Sequence, residues 1–158
     1  MEIYKDILTV DDGYICHQCN CVTRKSAGLA KLLFAKYPNA NTYIDTTRTR
    51  TYGTIDVIGN VVNIYAQYKP SKPKKNESSN DSRSRREYVF NHCLNLLKTY
   101  LIGNDMSSET VQYKVIYFPY KIGCGLAGGN WIEYKKMIES FRDAVAEYGF
   151  EVFICRPV

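Results

Sequence analysis

The sequence predicts one α/β domain in three layers, with helices on both faces of a mixed central sheet of about six strands. Three observations carry this. Short β-branched and aromatic runs alternate with segments of helical apolar period along the whole chain. A single two-residue hairpin signal, Gly59-Asn60, breaks an otherwise crossover-connected order. Two loops rich in small residues, 26–30 and 122–129, each follow a strand and open a helix. No internal repeat interrupts the order, so residues 1–158 form a single domain, and 158 residues of 45% apolar content can bury a full core.

In order, Met1 to Tyr4 reads as a short edge strand, followed by Lys5-Asp6-Ile7-Leu8. Tyr14 to Asn20 alternates around Ile15 as a second strand and carries Cys16-His17-Gln18-Cys19-Asn20-Cys21. The polar loop from Val22 to Ser26 leads to Ala27-Gly28-Leu29-Ala30. There Leu29, Leu32, Leu33 and Tyr37 share a helical face that Pro38 ends. Thr54 to Ile58 and Val61 to Ala66 read as the hairpin. Val89, Cys93, Leu96, Leu97 and Tyr100 mark a helix from about Ser84 to Leu101, with Gly103-Asn104 as its stop. Tyr113 to Phe118 is a buried strand. Tyr134, Ile138, Phe141, Val145 and Tyr148 give the next helix, with Asn130 and Glu133 as a capping box. Gly149 stops that helix, and Phe150 to Cys155 is the last strand.

The stretch Ile122-Gly123-Cys124-Gly125-Leu126-Ala127-Gly128-Gly129-Asn130-Trp131 is the chemical focus. Glycines at a strand-to-helix turn let backbone N–H groups approach a phosphate closely, and a helix N-terminus favours negative charge. The competing reading is a tight turn that needs positive φ at several glycines. The loop fits neither Gly-x-Gly-x-x-Gly nor the Walker lysine pattern, so ordinary dinucleotide and nucleoside triphosphate folds are not supported. Ala27-Gly28-Leu29-Ala30 is a second anion-site candidate.

Net charge is +5, and all of it lies in one insertion. Residues 69–86 hold seven basic and two acidic residues, while the remainder holds 14 of each. The fold therefore lacks a basic face. The insertion, rich in Ser, Pro and Asn, reads as a solvated, mobile segment, with a polyanion-attracting arm as the alternative. No apolar run approaches the roughly 20 residues of a bilayer span. Met1 to Val10 lacks a signal-peptide pattern, so a cytoplasmic or nuclear location with free thiols is expected. Cys16, His17, Cys19 and Cys21 invite a zinc site, but strand alternation sends Cys16 opposite to Cys19 and Cys21. Neither Cys19 nor Cys124 sits in a Cys-x5-Arg phosphate loop. No metal and no cofactor is expected.

Three signatures in this order resemble the macrodomain family: Asp6-Ile7 after the first strand, Asn20 with Ala27-Gly28-Leu29-Ala30, and the 122–131 stretch. The resemblance spans nearly the whole chain apart from residues 69–86. It is greatest to the compact branch of ADP-ribose-1″-phosphate phosphatases and the terminal ADP-ribose protein glycohydrolase. It implies that Asp6 and Ile7 receive adenine, with Asp6 accepting from the exocyclic amine. It further implies that Ala27, Gly28, Leu29 and Asn20 hold the distal ribose. The Ile122, Gly123, Cys124, Gly125, Leu126, Ala127 and Gly128 stretch would hold the diphosphate. The glycohydrolase lysine falls on Gln67, which is expected here as a ligand-binding residue, and its aspartate falls on Ala127, so a lysyl covalent route lacks its functional groups. His17 matches a histidine of the enzymatic branches. The resemblance thus implies phosphate release from ADP-ribose-1″-phosphate, with His17 and Asn20 as catalytic residues. His17 would protonate the leaving ribose oxygen or orient water, against the alternative of a hydrogen-bonded core histidine. Hydrolysis of ADP-ribosyl esters or of ADP-ribosylated nucleic acid, and a non-catalytic ADP-ribose reader, are the alternatives. The implied partners are ADP-ribose or ADP-ribose-1″-phosphate, then ADP-ribosylated protein or nucleic acid, on a monomer. The aromatic stacked on adenine stays open among Phe153, Tyr117 and others.

Overall fold

A computed structural model describes residues 1–106 and 111–158. Six strands form one sheet: β1 (Glu2–Tyr4), β2 (Tyr14–Gln18), β3 (Ile55–Ile58), β4 (Val61–Ile64), β5 (Val115–Pro119) and β6 (Glu151–Arg156), in the order β1-β6-β5-β2-β4-β3. Every pairing is parallel except the β3–β4 hairpin, which closes at Gly59 (φ 60°) with Ile58 opposite Val61. Helix α1 (Gly28–Lys36) covers one face, and α2 (Arg83–Met106) and α3 (Trp131–Ala146) cover the other. Alternation in β2 divides the core between these layers. Tyr14 and Cys16 pack under α2 and α3, while Ile15 packs on the α1 side.

The parallel strands put five carboxyl ends on one edge of the sheet. The residues following β1, β2, β4, β5 and β6 therefore gather there, where α/β sheets bind ligands. A short 3-10 turn after β1 (Ile7–Thr9) is capped by Asp6, whose carboxylate accepts from the Leu8 amide at 3.0 Å.

Several elements differ from the sequence reading. On α1 the buried residues are Leu33 and Phe34, while Leu32 is 54% exposed. The helix is turned by about one residue, so that Phe34 meets the rings of His17 and Tyr43 edge-on, each at 5.3 Å. Helix α2 passes Gly103-Asn104 and ends at Met106. Gly103 is not in the left-handed region, and a helical glycine costs only about 1 kcal/mol. Asn130 caps α3 by accepting from the Ile132 amide at 3.1 Å. Glu133 turns to Lys136 at 3.6 Å, so only half of the capping box forms. Helix α3 ends before Tyr148, and Gly149 (φ 85°) turns the chain into β6.

Candidate functional site

A cavity of about 410 Å³ opens at the carboxyl edge of the sheet. Ala27, Gly28, Leu29 and Ala30 from the start of α1 form one wall, and Ile122, Gly125, Leu126 and Ala127 from the loop after β5 form the opposite one. Helix α1 leaves the Gly28, Leu29 and Ala30 amides without intrahelical acceptors, and its N-cap, Ala27, supplies no side-chain acceptor. Across the cavity, the amides of Gly125, Leu126 and Ala127 have no acceptor among the described residues. Lys25 and Lys121 also line the space, and among the described residues no carboxylate does. Two rows of amide donors, a helix N-terminus and two lysines make an anion-receiving site.

The backbone here is strained. Among the described residues only Ser71 (φ 69°) and Lys121 (φ 60°) adopt positive φ without being glycine, and both line this cavity. Such conformations cost on the order of 1–3 kcal/mol and persist where the surroundings impose them.

The floor is polar and buried. His17 is 2% exposed, and its Nε2 lies 2.6 Å from Asn63 Oδ1. Asn63 donates its Nδ2 to the Ala40 carbonyl at 2.9 Å, so Oδ1 must be the acceptor toward the ring. His17 therefore carries its proton on Nε2 and keeps Nδ1 as an acceptor, while the Cys19 sulfur lies 3.5 Å from Nε2 and 3.8 Å from Nδ1. Burial pushes the His17 pKa down to about 4, opposed by the hydrogen bond to Asn63, and the ring is neutral at pH 7. Asn20 spends its carbonyl oxygen on the Val22 and Thr23 amides at 3.0 and 2.9 Å. Its Nδ2 lies 3.3 Å from the Tyr43 hydroxyl, which leaves one amide hydrogen. Gln67 accepts from Gln18 Nε2 at 2.8 Å and donates to the Lys69 carbonyl at 3.0 Å, so it is held at both ends.

A second cavity of about 480 Å³ adjoins the first, sharing Leu29, Pro119 and Tyr120 with it. Asp6, Ile7 and the exposed Leu32 line this second space. Joined through Leu29, Pro119 and Tyr120, the two cavities form one groove, with Asp6 and Lys5 at one end and the amide rows, Lys25, Lys121 and His17 at the other.

The chain superposes on the macrodomain of Mycobacterium tuberculosis DarG with a TM-score of 0.70 at 18% identity, the match covering 100% of this chain and 98% of that one. The Thermus aquaticus DarG macrodomain gives 0.70 at 16% identity, covering 98% and 95%. This is the macrodomain fold. A glycine-to-valine variant of the Oceanobacillus iheyensis macrodomain, solved with ADPR, matches at 0.53 and 12% identity, over 99% and 83% of the two chains. No protein-family model matches the sequence, and no curated protein matches it.

Within the macrodomain fold, His17, Asn20, Ala27, Gly28, Leu29, Gln67, Ile122, Gly125, Leu126 and Ala127 line the first cavity. Asp6 and Ile7 line the second cavity. Gly123, Cys124 and Gly128 line neither. A Cβ on Gly123 (φ 72°) would lie 2.7 Å from the Tyr134 ring, so this glycine serves close packing behind the loop. The amides of Ile122, Cys124 and Gly128 are used inside the loop, on the Pro119, Lys121 and Gly125 carbonyls. The donor row is therefore shorter than the sequence suggests, because the loop folds on itself as successive tight turns.

Tyr117 and Phe153 stack on one another with centroids 5.8 Å apart, and neither lines either of these two cavities. Tyr120 lines both, with the Arg156 guanidinium 4.2 Å from its ring centre. Sequence reasoning passed over Tyr43, Ser71, Tyr120 and Lys121. For the last two the signal was available, since they lie inside the strand-to-loop junction. Tyr43 and Ser71 arrive from segments with no local pattern.

Proposed function

We propose that this domain binds ADP-ribose along this groove and hydrolyses the terminal phosphate of ADP-ribose-1″-phosphate. The observation that carries the reading is the meeting of the two amide rows in one cavity with two lysines and, among the described residues, no carboxylate. In this reading adenine lies beside Asp6, whose second carboxylate oxygen accepts from the exocyclic amine. The diphosphate rests on the Gly125 to Ala127 amides, and the distal ribose with its phosphate reaches His17, Asn20 and Lys25.

Hydrolysis requires water to attack phosphorus as the bond to the ribose oxygen breaks. A neutral His17 with its proton fixed toward Asn63 accepts the water proton at Nδ1 and returns it to the departing oxygen. It is not a proton source at the outset, since its charged form is disfavoured by burial. Asn20 offers its remaining amide hydrogen to the ribose or the phosphate. Gln67 stands where a glycohydrolase of this fold carries lysine and is fixed at both ends, so it supplies no nucleophile.

The second reading, a reader of ADP-ribose with no turnover, is favoured by that same Gln67 and by the depth of His17. Release of free phosphate from ADP-ribose-1″-phosphate separates the two. The enzyme reading expects release by the wild type and loss of release in His17→Gln, with ADP-ribose affinity kept within about threefold. Wild-type release no faster than a buffer blank leaves the reader.

A further inference from the structure

We propose that Arg86 is a positioning residue that clamps the Pro70-Ser71 lining of the cavity to its glycine-loop wall. It lies near the start of α2, 2% exposed and buried by the segment that precedes the helix. Its Nη1 donates to the Ser71 carbonyl at 2.8 Å and to the Ala127 carbonyl at 3.1 Å, so one nitrogen joins Ser71 to the glycine-loop wall. Nη2 donates to the Lys69 carbonyl at 3.1 Å. Nε and Nη2 form a two-pronged pair with Asp81, at 2.8 and 2.9 Å. Asp81 in turn accepts from the Tyr68 and Lys69 amides at 2.9 and 3.1 Å.

The segment from Tyr68 to Ser71, which brings Pro70 and Ser71 into the cavity, is therefore tied to one buried ion pair, and the glycine loop is tied to the same guanidinium. Ser71 is one of the two strained residues of the cavity, and the bond from Arg86 to its carbonyl is what holds it there. The Ala127 carbonyl shares its peptide plane with the Gly128 N–H, which closes the loop on the Gly125 carbonyl at 3.0 Å, so holding that carbonyl fixes the turn that carries the Gly125 to Ala127 amides. Because Asp81 neutralises the guanidinium, Arg86 adds little net charge behind the cavity, and its contribution is geometric. Lysine cannot replace it. A single ammonium can pair with Asp81, but it cannot also reach both wall carbonyls in a fixed plane.

This inference rests on the reading of the groove as an ADP-ribose site, and the experiment separates the two. Wild type and Arg86→Lys are titrated with ADP-ribose and with adenosine, below the melting temperature of both. The clamp predicts that R86K loses affinity for ADP-ribose by about tenfold for each amide–phosphate bond misplaced. It also predicts that adenosine binding, at the Asp6 end, stays within about twofold. Amide hydrogen exchange in residues 121–128 rises in R86K, and Ser71→Gly added to R86K recovers part of the affinity, because glycine adopts positive φ without strain. A folded R86K that binds ADP-ribose like the wild type overturns the clamp. Should R86K not fold, the wild type decides alone: ADP-ribose must shift the Arg86 Nε–H resonance, and an unmoved resonance overturns the clamp. A wild type that binds adenosine but not ADP-ribose overturns the reading of the site itself, and the clamp with it.

Discussion

Gly123 and Gly28 are both left-handed, at φ 72° and 56°, yet the structure assigns them opposite sensitivities to a single methyl group. At either position alanine meets a backbone penalty of about 1–2 kcal/mol. At Gly28 nothing lies within 4 Å of the new Cβ, so the stability loss ends there. At Gly123 the Cβ falls 2.7 Å from Tyr134 Cε1 and 2.9 Å from Gln18 Oε1. Tyr134 is 1% exposed and wedged against Phe90 with ring centres 4.7 Å apart, so it has no room to retreat. Overpacking of this kind adds about 1–3 kcal/mol, which brings Gly123→Ala to about 2–5 kcal/mol. With a urea m-value of about 2 kcal/mol/M, the midpoint falls by about 1–2.5 M for G123A and by about 0.5–1 M for G28A. The order reverses for binding. Gly28 lines the cavity, and its methyl group would project into the space proposed for the distal ribose, so G28A loses ADP-ribose affinity while remaining well folded. Equal midpoint shifts for the two variants, or a G28A that binds like the wild type, would refute the reasoning.

Two further outcomes follow from the site. His17 has its pKa lowered to about 4 by burial, so the unfolded chain binds its proton more readily. Stability is then fully present above about pH 6.5 and declines as pH falls toward 4, by about 3 kcal/mol in all. Denaturation midpoints at pH 7 and pH 5 should show a smaller drop in His17→Gln than in wild type, and equal drops would remove this histidine as the cause. Asp6→Ala should abolish any preference for ADP-ribose over its hypoxanthine counterpart, which lacks the exocyclic amine. It also removes the cap on the Leu8 amide, at a cost of about 1 kcal/mol. A preference that survives in D6A would place the base elsewhere.

The layer order and the hairpin were legible because they rest on period and turn chemistry, which are local. Both amide walls were legible for the same reason, since each is a run of small residues between a strand and a helix. What could not be read depends on contacts across the chain. Leu32 and Phe34 exchange roles because Phe34 finds the rings of His17 and Tyr43, far apart in sequence. Asn63 looks like an error in the apolar run of β4 until its parallel register sets it opposite His17. Arg86 reads as one more cation in a solvated basic stretch, and only Asp81 and the carbonyls of Ser71 and Ala127 make it a buried hub. The count of usable amides in the glycine loop also depends on how the loop folds on itself, which composition does not encode.

The most direct measurement is an amide chemical-shift titration of the isotopically labelled chain with ADP-ribose. Resonances of Gly28, Leu29 and Ala30 should move together with those of Gly125, Leu126 and Ala127, along one saturating curve at one ligand per chain. Movement confined to one of these rows, or none at millimolar ligand, would contradict a cavity built from both.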